Sequence, residues 1–468
     1  MNMSEFHSTV SRRDFMKGLG LTGVGLGAAS LAVPAFHDLD EVSSSTTASW
    51  NRPWYVKQID APTLEVNWEE LKRFDTRDGK AIEPDEAAKL TSEQMARWDE
   101  ATRANKPGYR MRDRSLSQAS WLYAAGPLTY DSFTGPTMNA MFFREFESEK
   151  RWATLPKWES TPVENSRTLR AALKHFGAYQ VSFLPLDDNM KKLIYSYSLA
   201  PDRSLSRPVV FEDVEKAYHS NDKYVIPNKC KWIINYTVLQ SNELSKRTVA
   251  PIGTASFGKG YSDLAIMEGF TQQFLKGLGY QGVGGSTSTS IPVAFGICSG
   301  LGESSRASFL ISPEYGATVR QTTNIFTDLP LEPTKPIDAG IFRFCRTCKK
   351  CADSCPSNSI NKDSEPSWDC VTGKWNNSGI RGFKNNFSSC LKYWYQGDEI
   401  GCGICQGSCV YSKTEENAMI HEIVKGTISQ TSLFNGFFRN MDDVFGYGMK
   451  PDLDAWWNED RPGNLRRF

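Results

Sequence analysis

Nine of the eleven cysteines in this 468-residue chain fall between positions 345 and 409, and eight of those nine sit at spacings that few chemistries require. The first run is Cys345-Arg-Thr-Cys348-Lys-Lys-Cys351-Ala-Asp-Ser-Cys355-Pro356, or C-x2-C-x2-C-x3-C-P. The second is Cys402-Gly-Ile-Cys405-Gln-Gly-Ser-Cys409, with Cys390 upstream. Closely spaced cysteines in a tight turn wrap three corners of an iron–sulphur cube, and the fourth cysteine of such a run reaches the neighbouring cube. The pattern predicts two [4Fe–4S] clusters with exchanged ligands. Cys345, Cys348, Cys351 and Cys409 would hold one; Cys355, Cys390, Cys402 and Cys405 would hold the other. Zinc would take four ligands per site and leave the C-x3-C-P ending without a reason. A chain so equipped moves electrons.

The N-terminus carries an address. Ser11-Arg12-Arg13-Asp14-Phe15-Met16-Lys17 is a twin-arginine export signature. A mildly apolar segment from Gly18 to Ala35 follows, with five glycines and the small-residue ending Val33-Pro34-Ala35. Glycine at that density would destabilise a buried helix, so the segment reads as a cleavable signal rather than a span. The twin-arginine route exports folded, cofactor-loaded proteins. That suits clusters assembled in a reducing cytoplasm and a cysteine-rich chain with no disulfide framework. No later stretch approaches the roughly 20 apolar residues of a membrane span. The expected location is the outer face of the cytoplasmic membrane, held peripherally through a partner.

Fifty-four basic and fifty-four acidic residues cancel, so nothing in the charge points to nucleic acid. Thirteen tryptophans is a high count; most are expected in core or interface, and some could wall an apolar substrate cavity. The expected division is a signal peptide over 1–35, an N-terminal region and linker over 36–160, a middle domain over 161–335, and a cluster domain with its tail over 336–468. A polar helix is expected from Pro84 to Ala104. Leu169, Ala172, Leu173 and Phe176 mark an amphipathic helix closed by Gly177, and Trp232 to Leu239 reads as a strand. Leu264, Met267, Phe270, Phe274 and Leu278 mark a second helix ended by Gly279. Ser308 to Ser312 reads as another strand, and Glu415 to Thr427 as an amphipathic segment. Strands and helices mix without a βαβ rhythm, which predicts an α+β fold. The prolines at 330, 333 and 336 suggest the domain boundary.

Other chemistries find little support. The five histidines (His7, His37, His175, His219 and His421) are scattered, with no H-E-x-x-H. The Gly282–Ser290 loop could cradle a phosphate or pack against a large cofactor, yet no lysine follows at P-loop spacing. Cys230, Cys298 and Cys370 fit neither run, and Cys298 reads as a buried core residue.

An ordered set of short motifs now gives the chain a resemblance. It comprises the twin-arginine leader, Arg52-Pro-Trp-Tyr-Val-Lys57, Leu278-Gly-Tyr280, Gly300-Leu-Gly-Glu303 with Arg306, Pro313-Glu-Tyr-Gly316, Thr327-Asp-Leu-Pro-Leu331, Lys335-Pro-Ile-Asp338 and Phe344-Cys345. Together they resemble the respiratory reductive dehalogenases, corrinoid-dependent catalytic subunits of organohalide respiration. The likeness runs nearly end to end and leans toward members acting on chlorinated ethenes and propanes.

The resemblance implies a nitroreductase-like corrinoid-binding domain followed by a bacterial ferredoxin-like domain. It implies a base-off cobalamin-type corrinoid besides the clusters. The chain lacks the D-x-H-x-x-G of corrinoid proteins with a histidine lower ligand, in keeping with that state. By motif, Tyr261 in Lys259-Gly-Tyr261-Ser-Asp would be the proton donor, just ahead of the second helix, with Arg320 and the helix N-terminus polarising it. Thr287 would stand in the substrate pocket where many members have asparagine. The cluster using Cys355 would lie nearer the corrin. Implied partners are a small chlorinated hydrocarbon, an integral-membrane anchor subunit and an upstream respiratory electron donor, with no nucleic acid. Two other readings are an epoxyqueuosine reductase-like corrinoid enzyme and an iron–sulphur electron-transfer subunit. The export signature and neutral charge weigh against the first, and the length upstream of the clusters against the second.

Overall fold

A computed structural model describes residues 52–79, 82–121, 123, 132–135, 156–198, 205–248, 250–285, 289–321, 324–396, 402–412, 419–444 and 446–458. The export signature and Thr287 lie outside them. Residues 51–468 form one contact unit, of mixed α/β structure. Among the described residues no helix is long and apolar enough to cross a membrane.

The polar segment forms helix α1 (Pro84–Arg103), with Pro84 at its first turn and Asp85 and Glu86 facing the N-terminal end of its dipole. Helix α2 is Met111–Ser120. Helix α3 (Pro162–Phe176) starts on a Thr161 cap that accepts from the Glu164 N–H, and ends on Gly177 at φ 119°. Only a residue free of Cβ sterics takes that left-handed angle easily.

The sheet is built on one strand that is buried except at its two ends. Strand β1 (Gln180–Pro185) pairs antiparallel with β2 (Trp232–Leu239), in a register that sets Phe183 opposite Ile234. On the other edge of β2, β3 (Val319–Gln321) and β4 (Ile325–Thr327) follow one another, with Arg320 opposite Val238 and Ile325 opposite Ile234. Side chains alternate across this sheet and divide the interior in two. Leu184, Ile233 and Phe326 join one core. Val181, Phe183, Ile234, Tyr236, Val238 and Ile325 join a second core, beneath α3 and the long helix Pro251–Leu278.

Helix α4 (Pro251–Leu278) is where the structure departs from the sequence reading. Its C-terminus falls on Gly279 as expected, at φ 88°. Its start lies well before the apolar pattern at Leu264, so Tyr261 sits inside the helix and no helix N-terminus adjoins its oxygen. The first half hides its period because it is buried on nearly every side and carries glycine where neighbours press closest. A Cβ on Gly253 would stand 2.3 Å from the Arg247 carbonyl oxygen, and one on Gly258 would stand 2.6 Å from the Trp121 ring. Glycine costs about 1 kcal/mol against alanine in a helix interior, and here that cost permits the close approach.

The cysteine segment is woven into this body. Lys57–Gln58 pairs with Ile337–Asp338, and the Ala317 N–H donates to Ser412 Oγ. Helix α5 (Ile341–Cys348) carries Cys345 and Cys348. Its N-terminal amides are gathered by the buried Glu303 carboxylate, which accepts from Ala339, Ile341 and Phe342 N–H and from the Thr63 hydroxyl. Lys349, at φ 55°, turns the chain so that Cys351 follows on the next short turn. Helix α6 (Phe387–Gln396) carries Cys390 and rests on α1, where Gln94 Nε2 donates to the Trp394 carbonyl at 2.9 Å. Helix α7 (Met419–Gln430) occupies the expected amphipathic segment, shifted toward the C-terminus. Helix α8 (Asn435–Val444) is tied to the first run by Asn435 on Thr347 at 2.8 Å and by the buried Lys350–Asp442 ion pair. Of the strand expected over 308–312, Leu310–Ile311 forms, paired with Glu303–Ser304. Cys298 is buried as expected, and so is Cys230.

Candidate active site and cysteine centres

Arg320 reaches from β3 across to Tyr261 on α4. Its Nη1 donates to the Tyr261 hydroxyl oxygen at 3.3 Å, and its Cζ lies 4.3 Å from the centre of the Tyr261 ring. The guanidinium is held from behind. Gln240, one residue past β2, turns its amide oxygen to Arg320 Nη2 at 3.2 Å while its nitrogen donates to the Val319 carbonyl at 3.3 Å. Arg320 Nε is buried with no acceptor, so the site keeps one N–H for an incoming acceptor or anion. Trp121 stacks along Tyr261 at 5.7 Å with planes 28° apart. It can come so close because Gly258, one turn earlier on α4, has no side chain. Phe257 lies one helical turn before Tyr261 and 5.8 Å from the Arg320 Cζ.

A phenol and a cation held in hydrogen-bond reach can do acid chemistry. The Arg320 N–H fixes the phenol oxygen in place, and the hydroxyl keeps a proton to donate. The arrangement can deliver one proton to a basic carbon in an apolar, aromatic-walled setting.

The cysteines gather in two groups. Cys345, Cys348, Cys351 and Cys409 line one cavity of about 440 Å³, counted out to the solvent at its mouth, and Cys405 of the other group lines it too. Burial drives the Cys345 and Cys351 thiols well above their ordinary value, and neighbouring cysteines add to it: Cys351, Cys348 and Cys409 on Cys345, and Cys409, Cys405 and Cys348 on Cys351. Burial, with the charges of Cys409 and Asp442 adding to it, pushes Cys348 up to about 12. Cys405, also raised by burial, feels Cys402, Cys390 and Cys355. Burial and Cys355 push Cys390 up to about 11. At Cys355 burial is outweighed by hydrogen bonds from Ser357, Ser359 and Ile360, which hold its thiol below the usual value. The first group joins three cysteines of the first run to Cys409 of the second; the other joins Cys402 and Cys405 of the second run to Cys390 upstream and Cys355 of the first. Among the described residues no three His, Cys, Asp or Glu side chains converge on a point as a single ion requires. The thiols of the first group line a hollow instead.

The second group adjoins the Tyr261–Arg320 pair. A Cβ on Gly403, between Cys402 and Ile404, would stand 2.1 Å from the Phe257 ring and 2.9 Å from Thr248. Phe257 thus separates the two sites by one side chain. Sequence motifs brought out Tyr261, Arg320 and the eight cysteines. They missed Gln240, Phe257 and Trp121. The i, i+4 spacing of Phe257 and Tyr261 was a usable signal, whereas nothing local marks Trp121 or Gln240.

The description "reductive dehalogenase subunit" fits residues 51–331 of this chain. The chain belongs to the reductive dehalogenase family. Its members are oxidoreductases. It is 34% identical to the chloroethene reductive dehalogenase of Dehalococcoides mccartyi strain VS, over 98% of both chains. It is 27% identical to the tetrachloroethene reductive dehalogenase of Sulfurospirillum multivorans, over 96% of this chain and 93% of the other. Among solved structures it matches a reductive dehalogenase described in connection with B12-dependent dehalogenation, with a TM-score of 0.58 at 19% identity. That match covers 90% of this chain, which spans about half (53%) of the solved one; it supports the shared fold.

Proposed function

We propose that this reductive dehalogenase replaces carbon–chlorine by carbon–hydrogen in chlorinated ethenes and related small chlorinated ethanes and propanes, as the terminal reductase of organohalide respiration. Each turnover takes in two electrons and one proton and releases chloride. The names of the relatives support the substrate class. The observation that carries the reading is the Tyr261–Arg320 pair, one side chain from a four-cysteine group.

The residues fit the groups this chemistry needs. The cavity lined by Cys345, Cys348, Cys351 and Cys409 suits one cubic cluster, and the mutual influence of Cys355, Cys390, Cys402 and Cys405 supports a second. The side-chain carbonyls of Gln321 and Asn324 are buried without a donor, and the Gly285 backbone approaches Asn324. A corrinoid, whose rim carries amide groups, would supply donors there. When bound, it would supply low-valent cobalt able to break the carbon–halogen bond. On this reading residues 161–335 form a nitroreductase-like corrinoid-binding domain and 336–468 a ferredoxin-like domain. The group of Cys355, Cys390, Cys402 and Cys405 is then the one nearer the corrin. The remaining steps belong to the chain itself. Trp121 and Phe257 wall the site and exclude water, Arg320 offers its spare N–H to the departing halide, and Tyr261 hands its proton to carbon.

Protein purified without air should hold about eight irons, four per cluster, together with cobalt, and should dechlorinate a panel of chlorinated ethenes, ethanes and propanes. Iron near four, or no turnover across the panel with both cofactors present, would refute the assignment. In the same panel Thr287→Asn should reorder the substrates at unchanged cofactor content if Thr287 faces the pocket; an identical ranking removes it from there.

The same reading places the protein at the outer face of the cytoplasmic membrane, docked on an integral-membrane anchor and fed by a respiratory donor. Replacing both Arg12 and Arg13 by Lys should trap an unprocessed precursor inside the cell, because the paired guanidinium groups are what the export machinery reads. Fractionation with an antibody decides it: a processed, exported variant rules out the signal.

A further inference from the structure

Arg306 is fully buried (0% exposed), yet it has no carboxylate partner. Its Nε and Nη2 donate to the Cys345 carbonyl at 3.0 and 2.8 Å, Nη2 also reaches the Arg346 carbonyl at 3.2 Å, and Nη1 donates to the Asn361 carbonyl at 2.6 Å. The face of the guanidinium rests on the Phe383 ring at 4.0 Å. Every contact is to neutral groups, so the charge itself is uncompensated. A buried cation in that condition is strongly disfavoured unless an anion stands near. Arg306 lines the cavity of Cys345, Cys348, Cys351 and Cys409, where cluster-bound thiolates would supply that anion.

Tyr411 raises the same question independently. It is 2% exposed and lines the same cavity, and its hydroxyl has no partner. Glu303 exerts its charge on Tyr411 but is engaged by Thr63 and three backbone amides. A buried hydroxyl without an acceptor is unfavourable, and an anionic cluster would provide one.

Resting on the cofactor reading above, we infer that Arg306 and Tyr411 set the reduction potential of the cluster held by Cys345, Cys348, Cys351 and Cys409. A reduced cluster carries one more negative charge than an oxidised one. A fixed cation and an O–H donor beside it therefore favour the reduced form, as net charge and hydrogen bonding to sulphur do generally. Neither residue lines the Tyr261–Arg320 site, so the second cluster serves as an internal control.

The test is a redox titration followed by electron paramagnetic resonance on the holoenzyme, its Arg306→Gln, Arg306→Lys and Tyr411→Phe variants, with iron counted in each. Arg306→Gln should make one cluster about tenfold harder to reduce, a midpoint about 59 mV more negative for one electron. Tyr411→Phe should move the same cluster the same way by less, and Arg306→Lys should stay near the parent because it keeps the charge. A purely structural Arg306 would instead make Lys and Gln behave alike. Unmoved midpoints in Arg306→Gln and Tyr411→Phe at full iron content, or Arg306→Lys shifting as far as Arg306→Gln, overturn the inference. Should Arg306→Gln fail to keep its cluster, Tyr411→Phe, which alters one hydroxyl, decides alone. Fewer than eight irons in the parent would count against the cofactor reading itself.

Discussion

Tyr261→Phe should lower single-turnover dechlorination by about 10²–10⁴-fold, the usual range for loss of a general acid, with iron and cobalt content unchanged. The substitution deletes one oxygen and almost no volume, so the stack on Trp121 and the contact under Arg320 survive. What disappears is the hydroxyl that meets Arg320 Nη1. The measurement must begin from chemically reduced enzyme, so that slow electron delivery cannot imitate a missing proton. Arg320→Lys keeps a charge but loses the planar fork that serves Tyr261, Gln240 and an incoming anion together. It should fall between the parent and Arg320→Ala. A Tyr261→Phe enzyme reacting at the parental rate would make Tyr261 a packing residue and send the search for the proton elsewhere.

The sequence was most legible where one rule governs a segment. Helix α3 follows from apolar residues on one face and a glycine beyond the end, and β2 from a β-branched and aromatic run. The cysteine runs stand out by spacing alone, and Cys345, Cys348, Cys351 and Cys409, expected together from that spacing, line one cavity. Helix α4 was half legible, since periodicity reports one-sided burial and its first half is buried nearly all round. That error reached the site: it gave Tyr261 a helix terminus it does not have and left Arg320 as its polarising partner. Trp121 and Gln240 were illegible for another reason. Their roles depend on contacts 140 and 80 residues away in sequence, between Trp121 and Tyr261 and between Gln240 and Arg320, and no local pattern encodes such pairings. The tail was equally opaque. Trp456 and Trp457 pack against the cluster of Trp98, Tyr109 and Ile252, closing the C-terminus onto the first helices.

Cys409→Ala should remove about four of the eight irons, one cluster's complement, and the cluster lost should be the one belonging to the first run. By position Cys409 looks like a partner of Cys402 and Cys405, from which it is separated by a few residues. In space it shares a cavity with Cys345, Cys348 and Cys351, while Cys405 feels Cys402, Cys390 and Cys355 as its neighbours. Its short helix, Ile404–Gly407, ends just before it; the following turn carries Ser408 and Cys409 toward α5, where Tyr411 meets Phe344 edge to face at 5.8 Å. Iron content alone cannot say which cluster is gone, so three variants are compared by the electron paramagnetic resonance of what remains. The residual signal of Cys409→Ala should match that of Cys345→Ala and differ from that of Cys402→Ala. The reverse pairing would show that each run keeps its own cube, and the exchange of ligands between runs would have to be abandoned. A match to Cys345→Ala has a consequence for electron flow as well. Each run would then hold a corner of both cubes, so the two clusters are bridged by short stretches of backbone, Cys351 to Cys355 and Cys405 to Cys409. Such a scaffold fixes their separation without help from the rest of the fold, and leaves α4, through Phe257 against Gly403, to fix their distance from Tyr261 and Arg320.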